Sequence, residues 1–284
     1  MEKIFGMDFD REVADIIAIG IPLGKNSEKI LKFLRKASLF FETFDLEKER
    51  GIELKIFDEG NLKFKDENEI TERVKKILND EKIPLILSKS HLTSLFSIKA
   101  FDKNSKIIVF DAHADCKNNY LDERVVNSAQ PIKLNKKFYN CSTWLRRLIE
   151  NEYRNVAIVG LRACSEEEIN FLKNNKILYI TSTSIKKSLC KEKKRISDFT
   201  KNSKIYVSID IDVFDPSIAL AVENPEANGL NYQEFFEILN GIEGEIVGLD
   251  LVEISLADKK LMEITCSLGL KALFDLLLKL KEKF

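Results

Sequence analysis

Eight short apolar runs, separated by stretches in which apolar residues fall three and four apart, constrain the fold of this chain more than any other feature. The runs are "ADIIAIG" from 14, "ELKIFDEG" from 53, "PLILS" from 84, "KIIVFDAH" from 106, "NVAIVGLR" from 155, "KILYIT" from 176, "KIYVSIDID" from 204 and "EIVGLDLVEI" from 245. Runs such as Ile107 to Phe110 are apolar on both alternations, the pattern of a parallel strand covered by helices on each face. Between the runs, "NSEKILKFLRKA" from 26, "ENEITERVKKILND" from 67, "SEEEINFLKNN" from 165 and "NYQEFFEILNGI" from 231 carry helical periodicity, and Ser165 with acids in the next turn is an N-cap signature. Alternating strand and helix predicts an α/β fold, a three-layer αβα sandwich around a central, mainly parallel eight-stranded sheet with right-handed crossovers. With 284 residues, only five prolines and eleven glycines, and no repeat or Pro/Gly/Ser linker, residues 1–284 are expected to form one domain.

The charge balance narrows the partners. A net charge of -1 offers no field for nucleic acid or an anionic membrane. No apolar run reaches the eighteen or so residues of a membrane span, and "MEKIFGMDFDREVAD" has acids where a signal peptide has an apolar core. A cytoplasmic protein is expected. The five cysteines, 116, 141, 164, 190 and 266, form neither a CxxC pair nor a disulfide framework and read as reduced. There are only two histidines, His91 and His113, so any metal site or proton relay draws on them. Residues 117–140 are polar, with little periodicity, and longer than a normal connection, which marks them as functional or mobile.

Ligands of open parallel sheets bind outside the carboxyl ends of the strands. Asp111, His113 and Asp115 leave "KIIVF" at alternate positions, which an extended chain points the same way. Asp210 and Asp212 leave "KIYVS", His91 follows "PLILS", and Glu253 leaves "EIVGLDLV". A single Asp after a strand is ordinarily a helix cap or an Asx-turn, and Asp215 before Pro216 reads that way. Two alternating acid sets beside one of only two histidines are not explained so. Converging on one crevice, five carboxylates would repel one another unless cations neutralised them. Oxygen-rich sets with one or two imidazoles suit Mn²⁺ better than Zn²⁺, and six ligands match two metals about 3.5–4 Å apart.

These residues resemble the ureohydrolases, the family of arginase and agmatinase. The family's "DAHxD" stands as "DAHAD" at 111–115, its "SxDxDxxDP" as "SIDIDVFDP" at 208–216, its "VEV" as "VEI" at 252–254 and its "GxP" as "GIP" at 20–22. The resemblance implies one Mn²⁺ bound by His91, Asp111, Asp115 and Asp210 and a second bound by Asp111, His113, Asp210 and Asp212. It further implies that Glu253 holds a guanidinium by paired hydrogen bonds and that Asp115 is the catalytic proton acceptor. The implied reaction is hydrolysis of a linear guanidino compound to urea and an amine, most like the agmatinase branch, in a homo-oligomer, trimeric or hexameric, without an organic cofactor.

The departures from the family pattern are specific. Its "GGDHS" reads "SKSHL" at 88–92, which changes the turn and removes an acid that orients a ligand. Its mobile histidine, in "SHGTPFRR", is replaced by Cys141 in "NCSTWLRR", and the glycine-rich pocket wall becomes "SIALAVENPEANGL" at 217–230. Cys141, with no third histidine to activate it, reads as pocket lining rather than nucleophile. Lys117, Arg124 and Arg162 are candidates to meet a substrate carboxylate, or ordinary solvated charges. The alternative to an enzyme is a catalytically impaired relative that keeps the metal and acts as a binding or partner subunit.

Overall fold

The computed structural model of the chain describes residues 2–119, 132–134 and 137–281. All eight apolar runs are strands of one sheet: β1 (Ile16–Ile21), β2 (Ile56–Asn61), β3 (Ile83–Ser88), β4 (Lys106–Phe110), β5 (Val156–Leu161), β6 (Leu178–Thr181), β7 (Lys204–Asp210) and β8 (Glu245–Val252). Their order across the sheet is β6-β5-β4-β7-β8-β3-β1-β2, and every pairing is parallel. The helices are α1 (Ser27–Ser38), α2 (Glu67–Asn79), α3 (Leu92–Ile98), α4 (Trp144–Glu150), α5 (Glu166–Asn174), α6 (Ser182–Lys187), α7 (Leu189–Thr200), α8 (Tyr232–Asn240) and α9 (Lys259–Lys281). Ser165 does cap α5, in a reciprocal capping box with Glu168, and Asn231 does the same for α8 with Glu234.

The strands are apolar on both alternations because each face has its own core. Ile16, Ala18, Leu85, Ile108, Phe110, Val207 and Ile209 pack with Ile30 and Leu34 of α1, Phe235 of α8 and Leu273 of α9. Their neighbours Ile17, Ile19, Ile86, Ile107, Val109 and Tyr206 pack on the opposite side with Val74 of α2, Phe96 of α3, Trp144 of α4 and Leu172 of α5. Three layers result, with the terminal apolar helix α9 docked on its own sheet. No helix among the described residues is long and apolar enough to cross a membrane.

The "GIP" glycine has a packing reason. A Cβ on Gly20 would collide with the side chains of Asn61 and Arg35. Arg35 is buried and forms a forked pair with buried Asp58, Nε to Oδ2 at 2.7 Å and Nη2 to Oδ1 at 3.0 Å, and donates from Nη1 to Asn61 at 2.7 Å. That pair fastens α1 to the edge strand β2, which is the geometry in which a buried charge pair is satisfied rather than costly.

The long segment 117–140 is described only in part. Ile132–Leu134 pairs antiparallel with Lys137–Tyr139, while residues 120–131, including Arg124, and 135–136 lie outside the described residues.

Candidate metal centre and active site

Four adjacent strands, β4-β7-β8-β3, form the middle of the sheet, and because they are parallel their carboxyl ends open at the same edge. Register brings the candidates level: Ile209 lies beside Phe110, Asp210 beside Val252 and Leu251 beside Leu87. All seven candidate residues leave these four ends. His91 ends the turn after β3 and starts α3.

Asp111 stands between the two imidazoles. Its Oδ2 is 3.2 Å from His91 Nδ1 and its Oδ1 is 3.6 Å from His113 Nδ1. His91 Nδ1 also lies 3.0 Å from Asp210 Oδ2 and 3.5 Å from Asp115 Oδ2, and His113 Nδ1 lies 2.9 Å from Asp212 Oδ2. Two sets could each hold one ion, His91 with Asp111 and Asp210, and Asp111 with His113 and Asp212. His91 Nδ1 and Asp111 Oδ2 are buried, make no hydrogen bond among the described residues and lie close enough together to ligate at one point. Buried polar atoms without partners are rare and costly, and a cation at that point satisfies both.

The protonation of the metal-free cluster gives the same picture. Burial, the largest influence, disfavours a charged ring, yet Asp111 and Asp210 outweigh it and hold His91 well above its ordinary value. The same contest, with Asp111 and Asp212 as partners, holds His113 up to about 12. Burial also pushes Asp111 upward, and His113 and His91 more than reverse this. Asp115 is raised well above the carboxylate range by burial and then by Asp111, and Asp210 by burial, Asp212 and Asp111. Protons thus do the neutralising that divalent cations can do, and cations binding there must displace them.

The sequence expectation for 111–115 needs one correction. The strand ends at Phe110, and Asp115 adopts a left-handed backbone, φ +48°. Asp111 and Asp115 reach the centre because the chain turns, not because it stays extended. Glu253 is likewise left-handed, φ +64°, at the exit of β8. Non-glycine residues in that region are strained, and strain of this kind gathers at functional sites.

The loss of the acid in "SKSHL" does not leave His91 loose. Its Nε2 lies 3.0 Å from Ser208 Oγ, Ser208 donates to Asp250 Oδ1 at 2.6 Å, and Asp250 Oδ2 accepts from Ser94 and Tyr206, each at 2.7 Å. Asp250 is fully buried, and burial raises its carboxyl despite the pull of His91 and the three hydroxyls. With the Ser208 hydroxyl proton given to Asp250, its oxygen can accept from Nε2–H, the arrangement that would leave Nδ1 for a metal once its proton is displaced. Trp144 packs against the His91 ring in a tilted contact, centroids 4.4 Å apart and 34° between the planes.

A cavity of about 530 Å³ opens over the cluster, lined by Asp115, Lys117, Cys141, Glu223, Glu226 and Glu253 among others. Glu253 Oε1 accepts from the His91 backbone N–H at 2.7 Å. Its carboxyl is raised to about 7 by burial, with Lys89 pulling it back. Lys89, in the altered turn before His91, pairs with Glu223 of the pocket wall at 2.5 Å. Burial, then Glu253 and Asp115, push the Cys141 thiol well above its ordinary value, which argues against a nucleophilic thiolate. Arg162 spends its donors on the backbone: it donates to the carbonyls of Gly160, Asp212, Val213, Phe214 and Glu226 and so stitches the Asp212 turn to the pocket wall. Asp215 is a turn former as expected, accepting from Ser217 and Gly229.

The sequence profile of the Arginase family matches residues 27–279. The chain belongs to the arginase family. It is 30% identical over 282 residues to the N(1)-aminopropylagmatine ureohydrolase of Thermococcus kodakarensis, covering 93% of this chain and 90% of that one. With the agmatinase of Halalkalibacterium halodurans it shares 31% over 235 residues, 78% of this chain and 75% of that protein. The fold matches the crystal structure of agmatine ureohydrolase of Thermoplasma volcanium with a TM-score of 0.83, at 24% identity, over 99% of this chain and 95% of that one. By kinship the protein is an arginase-family hydrolase of C–N bonds.

Proposed function

We propose that this ureohydrolase holds two Mn²⁺ ions and hydrolyses a linear guanidino compound, agmatine or a relative of it, to urea and an amine. The observation that carries this reading is Asp111 presenting one oxygen to each of two imidazoles, with Asp210 completing one set and Asp212 the other, below a cavity that contains Glu253. The first ion would rest on His91, Asp111, Asp115 and Asp210, the second on Asp111, His113, Asp210 and Asp212. When bound, two such cations would make hydroxide available near neutral pH by lowering the pKa of water.

The chain's own residues do the rest. Glu253, ionised above about pH 7, receives the guanidinium by paired hydrogen bonds and turns its carbon toward the cluster. Asp115, whose carboxyl is raised by burial and by Asp111, takes the proton released as the C–O bond forms and gives it to the amine nitrogen as the C–N bond breaks. Ser208 and Asp250 keep the His91 ring in place throughout.

One observation favours a second reading, a metal-holding relative without turnover. Cys141 stands where the family has a mobile histidine, and its neutral thiol is a poor proton carrier at physiological pH. A urea-release assay over agmatine, N(1)-aminopropylagmatine, arginine and guanidino acids with added Mn²⁺ separates the two. Urea from the amine-tailed substrates is the expected result. No urea from any of them, with Mn²⁺ bound stoichiometrically, establishes the second reading.

A further inference from the structure

Trp144 is the only tryptophan in the chain, it is fully buried, and it touches two residues of the cluster at once. Its indole Nε1–H donates to Asp115 Oδ2 at 2.8 Å, the one hydrogen bond to that carboxylate among the described residues. Its ring packs against His91 in a tilted contact, centroids 4.4 Å apart and 34° between the planes. The start of α4 is also tied to the backbone around Asp115. Arg146 N–H donates to the Asp115 carbonyl at 3.4 Å, Arg146 Nη1 to the Cys116 carbonyl at 3.2 Å, and Lys117 N–H to the Ser142 carbonyl at 3.1 Å. Asp115 is strained, left-handed and repelled by Asp111, so without such ties its carboxylate has reason to turn away.

A purely packing role would need only the ring's volume. The N–H adds direction: it holds Oδ2, the same oxygen that lies 3.5 Å from His91 Nδ1, and so sets the rotation of the carboxylate about its last bond. The indole packed at a tilt against His91 meanwhile limits the movement of its ring, whose Nε2 end Ser208 already holds. Among the described residues, Trp144 makes its indole hydrogen bond to Asp115 and its ring contact to His91, and neither to Asp111, His113 or Asp212.

We propose that Trp144 is a positioning residue for the half of the metal centre formed by His91 and Asp115, and that the half formed by His113 and Asp212 does not depend on it. This rests on the reading of the cluster as a two-ion centre, and the test keeps the two claims apart. Mn²⁺ is titrated by calorimetry into metal-free wild-type protein, Trp144→Phe, which keeps a ring but loses the donor, and Trp144→Leu, which loses both. Far-UV circular dichroism verifies folding.

The expected result is two ions on the wild type and, in Trp144→Phe, one ion weakened by about 10–100-fold with the other unchanged. Trp144→Leu weakens the same ion at least as far. Unchanged affinities in Trp144→Phe, or equal weakening of both ions, overturn the positioning role. A wild type that binds no Mn²⁺ overturns the two-ion reading itself. Should the variants fail to fold, the wild type still decides: paramagnetic Mn²⁺ quenches the emission of this sole indole if Trp144 adjoins the centre, and undiminished emission at full loading overturns the proposal.

Discussion

Ser208→Ala removes one oxygen from the middle of the His91–Ser208–Asp250 chain, and its cost can be worked from the contacts. Ser208 is fully buried; its Oγ partners His91 Nε2 at 3.0 Å and donates to Asp250 Oδ1 at 2.6 Å. The substitution orphans both. A buried group left without its hydrogen bond costs about 1–3 kcal/mol, and the space of one oxygen is too small for a water to replace it. Asp250 Oδ2 keeps Ser94 and Tyr206, so Asp250 stays in place and the loss falls on Oδ1 and on the imidazole. The metal-free variant should therefore lose about 2–6 kcal/mol in urea denaturation with an unchanged slope. Once its ring is free to turn, His91 should also bind metal about 10–100-fold more weakly. A stability change below about 0.5 kcal/mol together with unaltered Mn²⁺ affinity would refute the reasoning, since surface-like tolerance is incompatible with a buried relay.

Three further outcomes follow from the same geometry. Asp210→Ala should abolish both Mn²⁺ retention, read by elemental analysis after gel filtration, and urea release. Glu253→Gln should raise KM by roughly 30-fold or more, because truncating a buried charge partner costs about 2–5 kcal/mol, and in the wild type KM should climb as pH falls through about 7, where Glu253 takes up its proton. Metal-free protein should lose stability as pH rises. His91, His113, Asp115 and Asp210 all hold protons more tightly folded than unfolded, so their contributions are complete below the unfolded values, 3.8 for the carboxyls and 6.5 for the imidazoles, and fade toward the folded ones, about 12 for His113. Asp111 opposes this only in acid, below its unfolded 3.8. Thermal melts should accordingly show an Mn²⁺-induced rise in Tm that grows from about pH 6 to about pH 8, because bound cations replace those protons.

Much of this molecule is legible in the sequence because its signals are local. An apolar run bounded by charge, such as "KIIVF" before "DAHAD", announces both a buried strand and what stands at its exit, and the parallel topology then brings distant exits together. His91 could be placed even though only the histidine of the family's motif survives. The remainder depends on contacts between residues far apart in the chain. Nothing in "GLDLVEI" says that Asp250 supports His91 through Ser208, since the partners are 42 and 117 positions away from Ser208. Trp144 reads as an ordinary apolar residue at the start of a helix until its N–H is seen against Asp115. Arg162 looks like a solvated or substrate-facing cation because a sequence shows charges but not the backbone carbonyls that absorb them. The left-handed turn at Asp115 has no glycine to announce it.

The central claim is that His91 and His113, with Asp111 between them, hold two cations side by side. A crystal grown with Mn²⁺ and measured at the manganese absorption edge tests it directly. Two anomalous peaks about 3.5–4 Å apart, one against His91 Nδ1 and one against His113 Nδ1, are the predicted result. A single peak, or none between the two imidazoles, would contradict the account.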